Sequence, residues 1–297
     1  MLHSILLPGT PNKNNIPVEL NAKQLNIPFS RFIKNELLTT VKQHLIEAQP
    51  DVVFVFGCGY KIPSELFTIP KFGFFNIHFS LLPAYGGNSP LFWQIKNGES
   101  TGGITIHQMT DSFDAGNMLA QQEVPILQGE GSGLLSARLS LESVNVMAKA
   151  IEKLANTGTQ LLLPQNEDGV SYFLHPCPDD MKIDWENQSA AEIENLVNAA
   201  NPEYGGAITA FRGQPFRILE VNQVNMGNPT TVAAGSIVHS DMNYGVIIAC
   251  INKQYLRINI AQISEGLFSG FKLAGLGIKA GERFESAAGL LGMMIKP

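Results

Sequence analysis

The run Asp51-Val-Val-Phe-Val-Phe56, closed by Gly57-Cys-Gly59, constrains the fold more than any other stretch of the chain. It is apolar at every position from Val52 to Phe56. A strand apolar on both faces belongs inside a sheet with helices packed on each side. Its neighbours fit that setting. Asn35 to Gln49 places Leu37, Leu38, Val41, Leu45 and Ile46 on one helical stripe, while Phe72–Ile77 and Gly103–Met109 read as two further strands. Ser89-Pro90 has the form of a helix start, a capping serine followed by proline at the first helical position, and that helix runs to Lys96 and stops at Gly98. A long amphipathic helix follows from about Leu134 to Asn156, closed by Gly158. Short buried strands alternating with helices predict an α/β fold with a doubly wound, mostly parallel sheet.

The pattern changes after Leu163. Proline and acidic residues between Pro164 and Asp180 suggest a linker, and Ser189-Ala-Ala-Glu192 is a capping box opening a short helix to Ala200. Beyond it, Ala207–Phe211, Phe216–Val224, Gly235–His239, Gly245–Cys250 and Tyr255–Ile260 are short strand-like pieces separated by Gly, Asn and Pro. Such punctuation predicts a small β-barrel. The expected organisation is a catalytic domain over residues 1–164, a linker over 165–182 and a β-rich domain over 183–297. A chain of 297 residues is long enough for both cores.

Composition narrows the function classes. The net charge of −6 and the absence of any Lys/Arg run argue against a general nucleic-acid binder. The unbroken apolar stretch Val52–Phe56 is far shorter than the ~20 residues a membrane span requires. The N-terminus lacks the basic segment of a signal peptide, and Cys58, Cys177 and Cys250 are widely spaced and odd in number. These features imply a cytoplasmic protein with reduced cysteines and neither a disulfide framework nor a metal site.

Polar chemistry concentrates in Asn76-Ile-His78-Phe-Ser80-Leu-Leu-Pro83. Side chains alternate along a strand, so Asn76 and His78 face the same side. Both sit at the carboxyl end of a buried strand, where open α/β sheets place their ligands. An amide and an imidazole facing one crevice can hydrogen-bond a carbonyl oxygen and stabilise the oxyanion formed on its attack. Asp111 and Asp114 follow the next strand and could orient the histidine.

Taken together, Asn76-Ile-His78-x-Ser-Leu-Leu-Pro83 and Ser112-Phe-Asp114-Ala-Gly116 resemble the signature of the 10-formyltetrahydrofolate-dependent formyltransferases. Lys182-Ile-Asp-Trp185 resembles the start of the second domain in the methionyl-tRNA and amino-sugar branches of that family. The resemblance implies a Rossmann-like domain followed by an OB-like barrel, with Asn76, His78 and Asp114 as the catalytic trio. It implies a folate pteridine held by Phe56, Gly57, Cys58, Gly59, Tyr60, Asp111, Ser112 and Phe113, chiefly through backbone groups. Ser80, Tyr85, Gly86 and Gly87 are the expected acceptor contacts. In the expected mechanism Asp114 keeps His78 protonated and oriented.

One departure stands out. Ser4–Pro11 looks like the family's second strand, and only 50 residues precede the Asp51 strand, so about one βα unit is missing or heavily shortened. The acceptor expected here is a small amine, such as an amino sugar on a nucleotide, with methionyl-tRNA as the alternative. From Ile183 onward the chain has eight Lys/Arg against ten Asp/Glu, a net charge of −2, and Pro8–Pro17 contains one lysine. Pro178–Trp185 and Leu276–Arg283 also look closer to the amino-sugar enzymes.

Other readings are weaker. Gly57-Cys-Gly59 lacks the third glycine of a dinucleotide fingerprint. Ser80 lacks nucleophile-elbow glycines and shapes its loop, and Cys58 reads as a packing residue. His107 and His175 read as ordinary polar residues, and Phe92 and Trp93 as core. A catalytically silent binding module of the same fold is the alternative function class, disfavoured by the intact trio.

Overall fold

The computed structural model describes residues 2–12, 15–227 and 231–286. Its elements run β1 (Ile5–Pro8), α1 (Ile16–Gln24), β2 (Phe29–Phe32), α2 (Leu37–Ala48), β3 (Val53–Phe56), β4 (Phe74–His78), β5 (Gly86–Gly87), α3 (Pro90–Lys96), β6 (Thr101–Gln108), β7 (Met118–Pro125), α4 (Ser132–Thr157) and β8 (Tyr172–Phe173). They continue with α5 (Ala190–Ala200), β9 (Ala207–Phe211), β10 (Gln214–Gln223), β11 (Ile237–Asp241), β12 (Gly245–Ala249), β13 (Tyr255–Ile263), β14 (Gly266–Ser269), α6 (Gly270–Gly275) and β15 (Phe284–Glu285). The chain separates into two compact units. The first comprises the chain through Asn88 with Gly103–Gln122 and Glu142–Tyr172; the second comprises Ser89–Gly102, Glu123–Leu141 and the chain from Phe173 onward. The expected linker therefore divides, its first part through Tyr172 belonging to the first unit.

In the first unit β1 pairs with β2 in parallel, and a separate sheet has the order β3-β4-β6-β7. β3 and β4 are parallel, as the α/β reading expects, whereas β6 enters antiparallel to β4. The two sheets share one core. Leu37, Val41 and Leu45 of α2 pack with Phe32, Leu66 and Phe74, against Leu6 of β1 and Val53 and Val55 of β3. Ile46, expected on that stripe, is 57% exposed, because the buried face follows i, i+4 steps from Leu37. Gly158 closes α4 with a positive φ of 57°.

The second unit is built on seven antiparallel strands in the order β11-β12-β13-β10-β9-β15, with β14 added on β13. The sheet curls until its ends meet: Ile237 N donates to Glu282 O at 2.8 Å and Phe284 N to Gly235 O at 2.9 Å. Its core holds Trp185, Phe216, Ile218, Leu256, Ile258 and Phe284, all buried. The Trp185 indole N–H is satisfied by Thr209 Oγ1 at 2.9 Å, which suits a fully enclosed tryptophan. Helix α5 closes over β10 and carries the expected capping box: Ser189 Oγ accepts from Glu192 N at 3.3 Å, and Glu192 Oε2 accepts from Ser189 N at 2.7 Å.

Ser89 does not cap α3. Its hydroxyl instead meets Tyr204 Oη at 3.0 Å and His175 Nδ1 at 3.1 Å, so His175 is tied into this unit's aromatic cluster. Phe92 is core, while Trp93 is half-buried and stacks on Phe173 with centroids 5.0 Å apart. No helix among the described residues is long and apolar enough to cross a membrane. Lys13 and Lys296, both counted in the charge argument, lie outside the described residues.

The capping box gives a direct stability test. Ser189→Ala removes the hydroxyl that accepts from the Glu192 N–H and leaves the reciprocal backbone N–H to carboxylate bond in place, so urea unfolding should show a loss of about 1 kcal/mol. Glu152→Ala, at an exposed position of α4, should change stability by less than about 0.5 kcal/mol.

Candidate active site

Strand β4 ends in Asn76-Ile77-His78, and the site grows from that end. Alternation turns Ile77 into the core, 9% exposed, and leaves Asn76 and His78 on the opposite side. The antiparallel register sets Asn76 directly across from His107 and His78 across from Thr105. His107 is therefore part of the site, which the sequence reading missed. Which residue of β6 stands beside Asn76 depends on the direction and register of that strand; knowing that β6 runs antiparallel would have placed His107 there.

Asp114 joins these side chains. One carboxylate oxygen, Oδ1, lies 3.4 Å from His107 Nε2 and 3.8 Å from His78 Nδ1. The other, Oδ2, accepts from Gly87 N at 2.8 Å. His107 Nε2 lies 3.4 Å from Asn76 Nδ2 as well as from Asp114 Oδ1, and its Nδ1 sits 3.1 Å from Gln108 O. His78 Nε2 lies 2.9 Å from Tyr85 O, so Nε2 carries its proton and Nδ1 presents a lone pair toward Asp114.

Electrostatics correct one expectation. Burial pushes the His78 imidazole below the ordinary histidine range, outweighing the opposing pull of Asp114 and the Tyr85 carbonyl; His107 pushes it the same way. His78 is thus neutral near pH 7, not the standing imidazolium foreseen from sequence. Burial alone would raise the Asp114 carboxyl. His107, His78 and the Gly87 N–H together hold it below the ordinary carboxylate range. The site pairs an ionised carboxylate with a neutral imidazole whose free nitrogen faces it.

The loops around this centre are closely fitted. Asp114 adopts the left-handed conformation with φ 52°. Two residues on, any Cβ at Gly116 would overlap the Gln108 carbonyl oxygen, which accounts for the Asp-x-Gly spacing. Tyr85 (φ 58°) and Gly87 (φ 111°) bend the chain so that the Tyr85 carbonyl reaches His78 and the Gly87 N–H reaches Asp114. Gly86 is buried, and a Cβ there would meet the Tyr172 ring at 3.1 Å. Three of the four expected acceptor residues are thus framework for His78 and Asp114. The fourth, Ser80, is fully buried, and its hydroxyl donates to Ala84 O at 2.7 Å. It has no surface for a substrate, which corrects its assignment as an acceptor contact.

The expected folate segments come together. Lys61 Nζ lies 5.4 Å from the centre of the Phe113 ring, linking the loop after β3 to the loop after β6. Phe56, the last residue of β3, and Phe113, in the loop after β6, are 53% and 59% exposed, a large apolar exposure for two aromatics. A Cβ at Gly57 or Gly59 would meet no heavy atom within 4 Å, so the backbone there is open to a ligand. Asp111 and Ser112 are exposed, and Tyr60 is half-buried. Burial pushes the Cys58 thiol up, with Sγ 3.6 Å from Tyr60 O, as suits a packing residue. Among the described residues no cluster of three or more His, Cys, Asp or Glu could hold a metal ion.

Comparison with known proteins names the family. The formyl transferase family model matches residues 9–151, and the formyl transferase C-terminal domain model matches residues 177–267. The chain belongs to the formyl transferase family. It is 34% identical over 242 residues to a methionyl-tRNA formyltransferase of Ralstonia nicotianae, covering 81% of this chain and 72% of that one. In fold it is similar to HypX from Aquifex aeolicus, solved with tetrahydrofolic acid (TM-score 0.67, 17% identity, 94% of this chain and 49% of that one). It is also similar to WlaRD, a sugar 3N-formyl transferase solved with dTDP and 5-N-formyl-THF (TM-score 0.57, 19% identity, 86% of this chain and 97% of that one). The chain is a formyl-transfer enzyme.

Neutral His78 sets a pH dependence for stability. Its folded-state pKa is depressed below the ordinary 6.5, so the unfolded chain takes up more protons as the pH falls. The stabilisation is complete above about pH 6.5 and is lost as the pH drops toward the folded pKa. Urea midpoints should therefore fall between pH 7.5 and 5.5, and His78→Asn should flatten that decline. Equal declines in both proteins would show that some other group dominates.

Proposed function

We propose that this chain transfers the formyl group of 10-formyltetrahydrofolate to the amine of methionyl-tRNA. The observation that carries the acceptor is the sequence likeness to methionyl-tRNA formyltransferases, which extends over 81% of the chain. The structural likeness to a sugar formyl transferase rests on 19% identity and speaks only for the fold. The donor reading is supported by the family and by the open backbone at Gly57 and Gly59 beside exposed Phe56 and Phe113. A pteridine ring has hydrogen-bonding edges for those backbone groups and flat faces for the aromatics.

The site residues then divide the reaction. An amide has two N–H groups; one Asn76 N–H faces His107, and the other serves the formyl oxygen as it becomes an oxyanion. As the acceptor nitrogen bonds to the formyl carbon, it must shed a proton. His78 Nδ1 takes that proton, and the Asp114 carboxylate stabilises the imidazolium that results. The bond from the formyl carbon to the folate nitrogen breaks, and the proton passes to that leaving nitrogen. No proton is gained or lost overall. Burial, which lowers the proton affinity of His78, favours its return.

A second reading, a small amine such as a nucleotide-linked amino sugar, is favoured by how the basic side chains of the second unit are used. Arg212 pairs with Glu282 at 2.7 Å, Arg283 with Glu186 at 3.1 Å and Lys182 with Asp179 at 2.6 Å. A surface gripping RNA has to neutralise several phosphates. The sequence likeness outweighs this charge pattern, because a few free lysines on one face suffice to bind an acceptor stem.

Two measurements test the proposal. Formylation of methionyl-tRNA and of dTDP- or UDP-linked amino sugars should be compared at matched enzyme concentration. Efficient, strongly salt-dependent formylation of the RNA is expected; turnover of a sugar alone would establish the second reading. Asn76→Ala and Asp114→Asn should each lower kcat about a hundredfold or more, with the circular dichroism spectrum unchanged. Near-normal turnover in either would remove that residue from the mechanism.

A further inference from the structure

The segment from Leu163 to Tyr172 looked like the start of a linker in the sequence, yet its hydrogen bonds go to the two loops that carry the active site. Leu163 pairs with Met118, N–H to carbonyl in both directions, at 2.7 and 2.9 Å. Gln165 then directs its side-chain NH2 group at the Asp114 turn: Nε2 donates to Asp114 O at 2.7 Å and to Gly116 O at 2.8 Å. Residues 166–170 are all exposed. Ser171 touches down again with three bonds. Its N–H donates to Pro83 O at 3.2 Å, its hydroxyl accepts from Tyr85 N at 2.9 Å, and its carbonyl accepts from Gly86 N at 2.9 Å.

Both anchors act one bond away from a reacting side chain. The Tyr85 carbonyl, held by Ser171 through the same residue's N–H, fixes the His78 tautomer. The Asp114 backbone, held by Gln165 in a left-handed conformation, aims the carboxylate at His78 and His107. An exposed five-residue span between the anchors adds little to the core. Its two anchoring side chains are therefore best explained by what they hold.

We propose that Gln165 and Ser171 are positioning residues for formyl transfer, forming a strap that fixes Asp114 and His78 relative to each other. The inference rests on the formyl-transfer reading above. Gln165 sets where the carboxylate stands. Ser171 sets the carbonyl that holds the imidazole. Without Gln165 the Asp114 carboxylate moves away from His78. The charged and titratable groups facing His78 are Asp114 and His107, with the Tyr172 phenol close enough to Asp114 to feel its charge. Because Asp114 opposes the effect of burial on His78, weakening it lowers the proton affinity of His78 further.

The test is a small set of variants measured by kinetics and by nitrogen-15 titration of the His78 ring. Gln165→Ala should lower kcat at least tenfold with KM for the folate nearly unchanged. It should also move the acid limb of the pH–rate profile, and the His78 titration, to lower pH. In an Asp114→Asn background the same change should cost less than twofold, since there is no carboxylate left to place. Ser171→Ala should lower kcat, and Ser171→Thr, which keeps the acceptor oxygen, should restore most of it. The proposal is overturned if Gln165→Ala leaves both kcat and the His78 titration as in the unaltered enzyme. It is equally overturned if the loss is the same with and without Asp114, which marks a general folding defect. An unaltered enzyme with no formyl transfer to any acceptor would instead remove the parent reading, and the His78 titration would still report on the strap.

Discussion

Asp114 is a partly buried carboxylate with a left-handed backbone, and neither property is stable in isolation. Its charge is tolerated because the Gly87 N–H, His107 and His78 surround it. Its backbone is tolerated because its carbonyl and that of Gly116 are both held by Gln165. An unpaired carboxylate at that depth would cost several kcal/mol or take up a proton. Much of the surrounding architecture can be understood as meeting that requirement. Two glycines permit it: Gly86, which gives space to Tyr172, and Gly116, which gives space to the Gln108 carbonyl.

The strand arrangement does the rest. Antiparallel pairing of β4 and β6 sets Asn76 opposite His107, so an amide and two imidazoles share one end of the sheet with the carboxylate. Burial then assigns the charges. Burial, with the neighbouring His107 acting the same way, disfavours a proton on His78, and one ionised carboxylate does not reverse this. In the proposed mechanism His78 is then a base that stays unprotonated until the reaction supplies a proton. That suits a transfer in which the same proton leaves one nitrogen and arrives on another.

Much of this was legible in the sequence. The apolar run at Val53–Phe56, the α2 stripe, the Ser189 capping box and the strands from Ala207 onward follow from periodicity and turn chemistry, and the structure has them within a few residues. Asn76, His78 and Asp114 were found from alternation and motif, and the structure brings all three together. What escaped was non-local. His107 needs the direction of β6, and Gln165 and Ser171 need the path of a segment whose composition reads as linker. Ser89 was predicted to cap α3 and instead bonds Tyr204 and His175, partners more than eighty positions away in the chain. The charge of His78 was misjudged because a sequence shows the nearby aspartate but not the depth of burial.

The protonation state of His78 in the resting enzyme is the point on which the mechanism turns. Long-range nitrogen-15 correlation spectra of the imidazole at pH 7 read it directly. The expected spectrum is that of a neutral ring with its proton on Nε2 and a lone pair on Nδ1, persisting to below pH 6.5, the ordinary histidine value. An imidazolium at pH 7, protonated on both nitrogens, would mean that Asp114 overrides burial and that His78 acts as a standing cation instead of a proton acceptor.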